Sequence, residues 1–125
     1  MFRDAELLEQ RQGELISLGL REAGKTWPNA LAEVREAVDF LRYYAAQIRQ
    51  LEATASTPAR PLVCISPWNF PLAIFIGQVS AALAASYPVI AKPAAQTPLI
   101  AALAVSLLHQ AGVEAVASSC RIWAA

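Results

Sequence analysis

Cys64-Ile65-Ser66-Pro67-Trp68-Asn69-Phe70-Pro71 is a short apolar run that breaks off at an asparagine set close between two prolines. Leu62 and Val63 extend the run backwards, so four consecutive apolar residues predict a buried strand within residues 61–66. Pro67 has no N–H for a ladder and restricts the residue before it, which ends the strand there. Pro71 suits the first turn of a helix, where a missing N–H leaves nothing unsatisfied. Asn69 is thereby placed in a strand-to-helix crossover. Its side chain has two readings there: an ordinary helix cap, or an amide donor aimed at a developing oxyanion.

Working outward, residues 71–85 read as a helix, and residues 88–91 as a second short strand ending at Lys92. Thr97 is a reasonable N-cap with Pro98 at the first helical position, and Gly112 can close that helix with a left-handed turn. Strand, helix, strand, helix is half of a doubly wound nucleotide-binding sheet. In such sheets ligands sit beyond the carboxyl ends of the strands, where residues 66–69 and Lys92 both fall. Lys92 is a cation suited to a ribose hydroxyl or a phosphate there, or else a solvated surface lysine. Neither GxGxxG nor a Walker motif is present, so no standard phosphate loop explains the site.

Upstream, residues 4–20 predict one helix with Gly13 as its weak point, and Gly19 and Gly24 bracket its end and a turn. Residues 29–51 are the most periodic part of the chain. Leu31, Val34, Val38, Leu41, Ala45, Ile48 and Leu51 step by three and four, which predicts one apolar helix face. Glu33, Arg35, Glu36, Asp39, Arg42 and Arg49 fall mostly off that face and read as solvated surface. Residues 53–60 form a polar connector.

Composition bounds the rest. The chain of 125 residues is 56% apolar, above the roughly 45–50% usual for soluble domains, so some faces are expected to meet a partner. Ten basic and ten acidic side chains cancel, which gives no electrostatic case for nucleic acid or an anionic membrane. After Arg60 the only charged residues are Lys92, Glu114 and Arg121. Residues 70–89 approach the length of a membrane span, but Pro71 and Pro88 shorten the helix and no basic cluster flanks it, so a helix buried on all sides fits better. Cys64 and Cys120 form no CxxC pattern and His109 is the only histidine, so no metal site is expected. An N-terminus with acids and no apolar core is not a signal peptide, and a cytoplasmic setting is expected.

Ser66-Pro67-Trp68-Asn69-Phe70-Pro71 resembles the signature loop of the aldehyde dehydrogenase family, and the similarity continues through Ala91-Lys92-Pro93-Ala94-Ala95-Gln96-Thr97-Pro98. Arg21-Glu22-Ala23-Gly24-Lys25-Thr26, Tyr43-Tyr44-Ala45 and Leu72-Ala73-Ile74-Phe75 followed by Gly77-Gln78 are similar to the L-glutamate-γ-semialdehyde (pyrroline-carboxylate) dehydrogenase modules of bifunctional proline-utilisation proteins. The resemblance implies an α/β fold: a helical lead-in over 4–52, then an incomplete Rossmann-like parallel sheet over 61–111. Residues 1–113 would form part of the NAD-binding domain, with 114–125 a divergent tail. It implies that Asn69 stabilises the oxyanion of a thiohemiacetal, that Ile65, Ser66, Pro67 and Trp68 line the nicotinamide–ribose side of an NAD site, and that Lys92 holds the adenosine ribose. In such enzymes a cysteine thiolate attacks the aldehyde, hydride passes to NAD, and a glutamate-assisted water releases the acid.

Departures from the pattern weigh against activity. Ala95 stands where the family usually has a ribose-binding glutamate, so NAD binding should be weakened. Ser86-Tyr87-Pro88 replaces a Gly-Asn-Thr, removing the residue best suited to a left-handed helix end. The nucleophilic cysteine, the general-base glutamate and the Gly-rich loop lie in the family beyond the stretch this chain resembles; Cys64 sits in a strand before the oxyanion loop, and Cys120 falls past the end of the similarity. The expectation is an N-terminal piece of an NAD-dependent semialdehyde dehydrogenase, inactive alone. The competing expectation is a docking module that joins homologous dehydrogenase subunits through an unpaired sheet edge, or a non-functional remnant.

Overall fold

The computed structural model describes residues 1–50 and 60–118. Within them the order is α1 (Phe2–Gln10), α2 (Gln12–Ala23), α3 (Trp27–Gln50), β1 (Leu62–Ile65), α4 (Ala73–Ala84), β2 (Val89–Lys92), α5 (Pro98–Gln110) and β3 (Val116–Ser118). The strands form one parallel sheet in the order β1-β2-β3. Its register sets Val63 beside Ile90 and Ala117, and Ile65 beside Lys92. This is an incomplete Rossmann-like α/β fold, as the sequence predicts.

Two helical layers stack on one side of the sheet. Right-handed crossovers that step in one direction place both connecting helices on the same face, and α4 and α5 pack there. Helices α1–α3 then cover α4 and α5 from outside. Cys64, Val89, Ala91 and Val116 point from the sheet into this core, joined by Phe75, Ile76, Leu107 and Leu108 from the helices. No described residue covers the opposite face: Val63 is 59% exposed, Ile65 61% and Ile90 39%.

The approach of α3 to α4 depends on Gly77. A Cβ there would lie 3.1 Å from two carbons of the Phe40 ring, so glycine lets the helices come this close. Helix α4 has no polar face, which a helix enclosed between sheet and helices needs none of. No described helix is long and apolar enough to cross a membrane.

Several expectations need correction. Residues 4–20 are two helices, and the break falls at Arg11 (φ −103°, ψ 17°) instead of Gly13. Arg11 folds forward onto the Glu14 carboxylate in the first turn of α2, which favours the interruption there. Gly19 lies inside α2, while Gly24 (φ 61°) is the left-handed cap. Glu33 is buried (3% exposed), not solvated. The buried stripe of α3 runs through Ala30, Glu33, Val34, Ala37, Val38, Leu41 and Ala45; Ile48 is exposed, and Leu51 lies outside the described residues. Residues 116–118, expected within the tail, form β3, which pairs with β2 and closes the order of the sheet. The connector 53–60 lies, apart from Arg60, outside the described residues, as does Cys120.

Candidate active-site loop

Strand β1 ends at Ile65 because Pro67 cannot continue the ladder. The Ser66 N–H still donates to the Lys92 carbonyl at 3.2 Å, so the mouths of β1 and β2 are tied together. Ile65, Ser66, Pro67, Trp68 and Asn69 follow one another around the turn, and Lys92 faces Ile65 across the register. The predicted site residues are therefore gathered at one end of the sheet. Ile65 and Trp68 are 61% and 51% exposed, bare walls at the carboxyl ends of the strands. Lys92 is exposed and, among the described residues, makes only a long 3.4 Å hydrogen bond from Nζ to the Pro93 carbonyl.

The two readings of Asn69 separate here. Helix α4 begins at Ala73, its N-cap position is Leu72, and no side chain of its own caps it. Asn69 is exposed and makes no hydrogen bond among the described residues. It is not the cap. The open N–H groups of α4 go instead to Glu33 on α3: Oε2 accepts from Leu72 at 2.9 Å and from Ala73 at 3.2 Å. Glu33 Oε1 accepts no directed hydrogen bond, but it lies 2.5 Å from Lys25 Nζ, so its charge is met by an ion pair. The same ammonium stands 4.6 Å from the centroid of the Phe70 ring. Lys25 and Glu33 thus grip the loop at Phe70 and Leu72, on the far side of Asn69 from β1.

Helix α5 repeats the arrangement. Glu22 at the end of α2 accepts the Leu99 and Ile100 N–H groups, both at 2.8 Å. Thr97 occupies the N-cap position, yet its buried Oγ1 makes no hydrogen bond to the described residues. Both helix N-termini at this end of the sheet are thus already filled by carboxylates of the chain, and neither is open to a phosphate. Sequence reading missed Glu22, Lys25 and Glu33 as parts of this end of the molecule. The available signal was spacing: Glu33 lies three after Ala30 and four before Ala37, on the stripe that is buried.

What the loop can do chemically follows from these contacts. Asn69 offers a spare amide donor on a loop fixed at both ends. Ser66 adds a hydroxyl that is buried and without a partner among the described residues. Cys64 points into the core, where burial pushes its thiol up from the ordinary value; a thiol so placed stays protonated and shielded, a poor nucleophile. No metal-binding cluster occurs among the described residues. Ile65, Trp68 and Lys92 stand exposed together at the carboxyl ends of the strands.

The parallel sheet with this loop at its carboxyl end is the fold of an aldehyde dehydrogenase domain in part, and residues 1–120 match the model of the aldehyde dehydrogenase family. The chain belongs to that family. It is 61% identical over 115 residues to the bifunctional protein PutA of Rhizobium meliloti, covering 92% of this chain and 9% of that protein. It is 38% identical over 128 residues to 1-pyrroline-5-carboxylate dehydrogenase of Bacillus mycoides, covering 92% of this chain and 25% of the relative. Its fold matches the structure of a 1-pyrroline-5-carboxylate dehydrogenase from Thermus with bound NAD, with a TM-score of 0.78 and 36% identity over 88% of this chain and 24% of that one. The chain thus spans about a tenth to a quarter of the length of these relatives.

Proposed function

We propose that this chain supplies the oxyanion-stabilising and ribose-contacting part of an NAD-dependent dehydrogenase that oxidises L-glutamate γ-semialdehyde to glutamate, and that the 125-residue polypeptide does not turn over by itself. The observation that carries the reading is Asn69: a side-chain amide relieved of capping by Glu33, on a loop gripped at Phe70 and Leu72, beyond the end of β1. Such a donor stabilises negative charge on a carbonyl oxygen with little reorganisation at the moment of reaction. Ile65 and Trp68 would flank the nicotinamide ribose, with Ser66 and Pro67 shaping the turn between them, and Lys92 would hold the adenosine ribose. NAD, when bound, supplies the hydride acceptor.

Identity to PutA and to 1-pyrroline-5-carboxylate dehydrogenases supports the choice of aldehyde. Among the described residues the nucleophile is the missing function, since Cys64 is turned into the core. Purified chain mixed with NAD and glutamate semialdehyde is expected to give no NADH absorbance, and to bind NAD weakly if at all. NADH formation that disappears in Cys120→Ser would overturn the proposal, as would tight NAD binding indifferent to Lys92→Ala.

A further inference from the structure

Asn69 sits in a loop with few fixed points. Pro67 and Pro71 lock their own φ and hold Ser66 and Phe70 to extended conformations, so Trp68 and Asn69 alone keep both backbone torsions between the prolines. Upstream, the loop is tied by the Ser66 N–H on the Lys92 carbonyl at 3.2 Å. Downstream, Pro71 has no N–H to give, and the next one along, that of Leu72, goes to Glu33 at 2.9 Å.

Packing does little to hold Phe70, the residue directly after Asn69. Its side chain is 42% exposed, and it also lines a cavity of about 200 Å³ with Lys25, Asn29, Ala32, Glu33 and Glu36. A ring bordered by water and by a void lacks the close contacts that fix a core side chain. What holds it is the Lys25 ammonium, 4.6 Å from the ring centroid. That ammonium is itself fixed by Glu33 at 2.5 Å, the carboxylate that accepts from Leu72 and Ala73. The two side chains are only 12% and 4% exposed, so solvent screens their attraction weakly. Both downstream anchors of Asn69 therefore run through one ion pair. Glu22 closes α5 in the same manner, but no cation in the described residues links it to the Asn69 loop.

We propose that Lys25 and Glu33 are positioning residues for the Asn69 amide, acting on it only through Phe70 and Leu72, and that Lys25 is the element common to both holds. The role rests on Asn69 as the oxyanion donor read above, whereas its test does not. An oxyanion donor lowers a barrier to the extent that it is already in place when charge develops, and a shift of about 1 Å in such a group costs about a hundredfold in rate. A cap that served stability alone would have no need of a cation shared with the loop's aromatic ring.

The test measures backbone amide order by NMR relaxation in the 125-residue chain, well below its unfolding temperature. In the parent, Asn69 is expected at an order parameter of about 0.85, the value of a rigid backbone. Lys25→Met removes the cation from both partners and should drop Asn69 below about 0.6. Phe70→Leu, which keeps an apolar side chain but no ring for the cation, should do the same; should Lys25→Met not fold, this variant decides the matter. Lys25→Arg keeps the charge, the cavity has room for its larger head, and Asn69 should stay within about 0.1 of the parent. Glu22→Gln weakens the cap of α5 and should lower stability without moving the Asn69 value. A parent Asn69 already below about 0.6 overturns the proposal, as does an Asn69 that stays near 0.85 in both Lys25→Met and Phe70→Leu. An equal drop in Glu22→Gln also overturns it, because that is general loosening. Each of these failures leaves Asn69 available as an oxyanion donor, while NADH formed by the chain alone would sink the proposed inactivity and leave the order parameters as they are.

Discussion

Glu33 on α3 accepts the N–H of Leu72 at 2.9 Å from 39 residues away in the chain. One buried carboxylate thereby closes the N-terminus of α4 and neutralises Lys25. Removing one partner of a buried, hydrogen-bonded pair costs more than the pair contributes, because the other charge is stranded. Glu33→Ala is expected to destabilise the chain by about 3 kcal/mol, read as a shift in urea midpoint at constant slope. Glu33→Gln keeps an acceptor for the α4 amides and should cost less than the alanine change. A Glu33→Ala loss under about 0.5 kcal/mol would mean that water replaces the carboxylate.

The same logic assigns the cap of α5 to Glu22 and not to Thr97. Glu22→Ala should cost about 1 kcal/mol, the usual loss for a helix cap. Thr97→Val, which exchanges an unpartnered buried hydroxyl for a methyl of the same shape, should be neutral within about 0.5 kcal/mol or slightly stabilising. Thermal unfolding of the two variants side by side gives the order. The reverse ranking would restore Thr97 as the working cap.

Asn69→Ala should leave stability within about 0.5 kcal/mol of the parent, as for an exposed side chain that touches nothing essential. An asparagine capping α4 would instead lose about 1 kcal/mol. Chemical denaturation distinguishes the two outcomes.

Ser86 holds a left-handed backbone (φ 64°) at the end of α4, where its N–H and that of Tyr87 return to the Leu83 and Ala82 carbonyls. A left-handed conformation costs a residue with a Cβ roughly 1–2 kcal/mol. Ser86→Gly relieves that strain against the entropy that glycine loses, so a net gain of about 0.5–1 kcal/mol is expected. A lower melting temperature for the variant would show that the Ser86 side chain contributes something the backbone argument omits.

How far the sequence carried the structure follows from how local each signal is. Strand β1, its stop at Pro67 and the start of α5 at Pro98 are written in adjacent residues, and so was the left-handed closure at Gly112 (φ 95°). The Asn69 loop was legible from its own wording. Its supports were not, because a carboxylate that caps a helix 39 residues later leaves no mark beside either residue. Charge alone put Glu33 on the surface, although the helical period that buries Ala30 and Ala37 also buries it. Strand β3 escaped because Val116-Ala117-Ser118 is too short to show alternation, and it becomes a strand only where β2 offers it an edge.

The crossed caps also decide where this polypeptide can be divided. By chain order, residues 50–60 look like a natural seam between a helical preface and an α/β half. Cutting there would give one product with two open helix ends and another with two carboxylates, Glu22 and Glu33, stripped of the amides they cap. The seam visible along the chain is therefore not one in space, and the helices before it are structural parts of the nucleotide fold they precede.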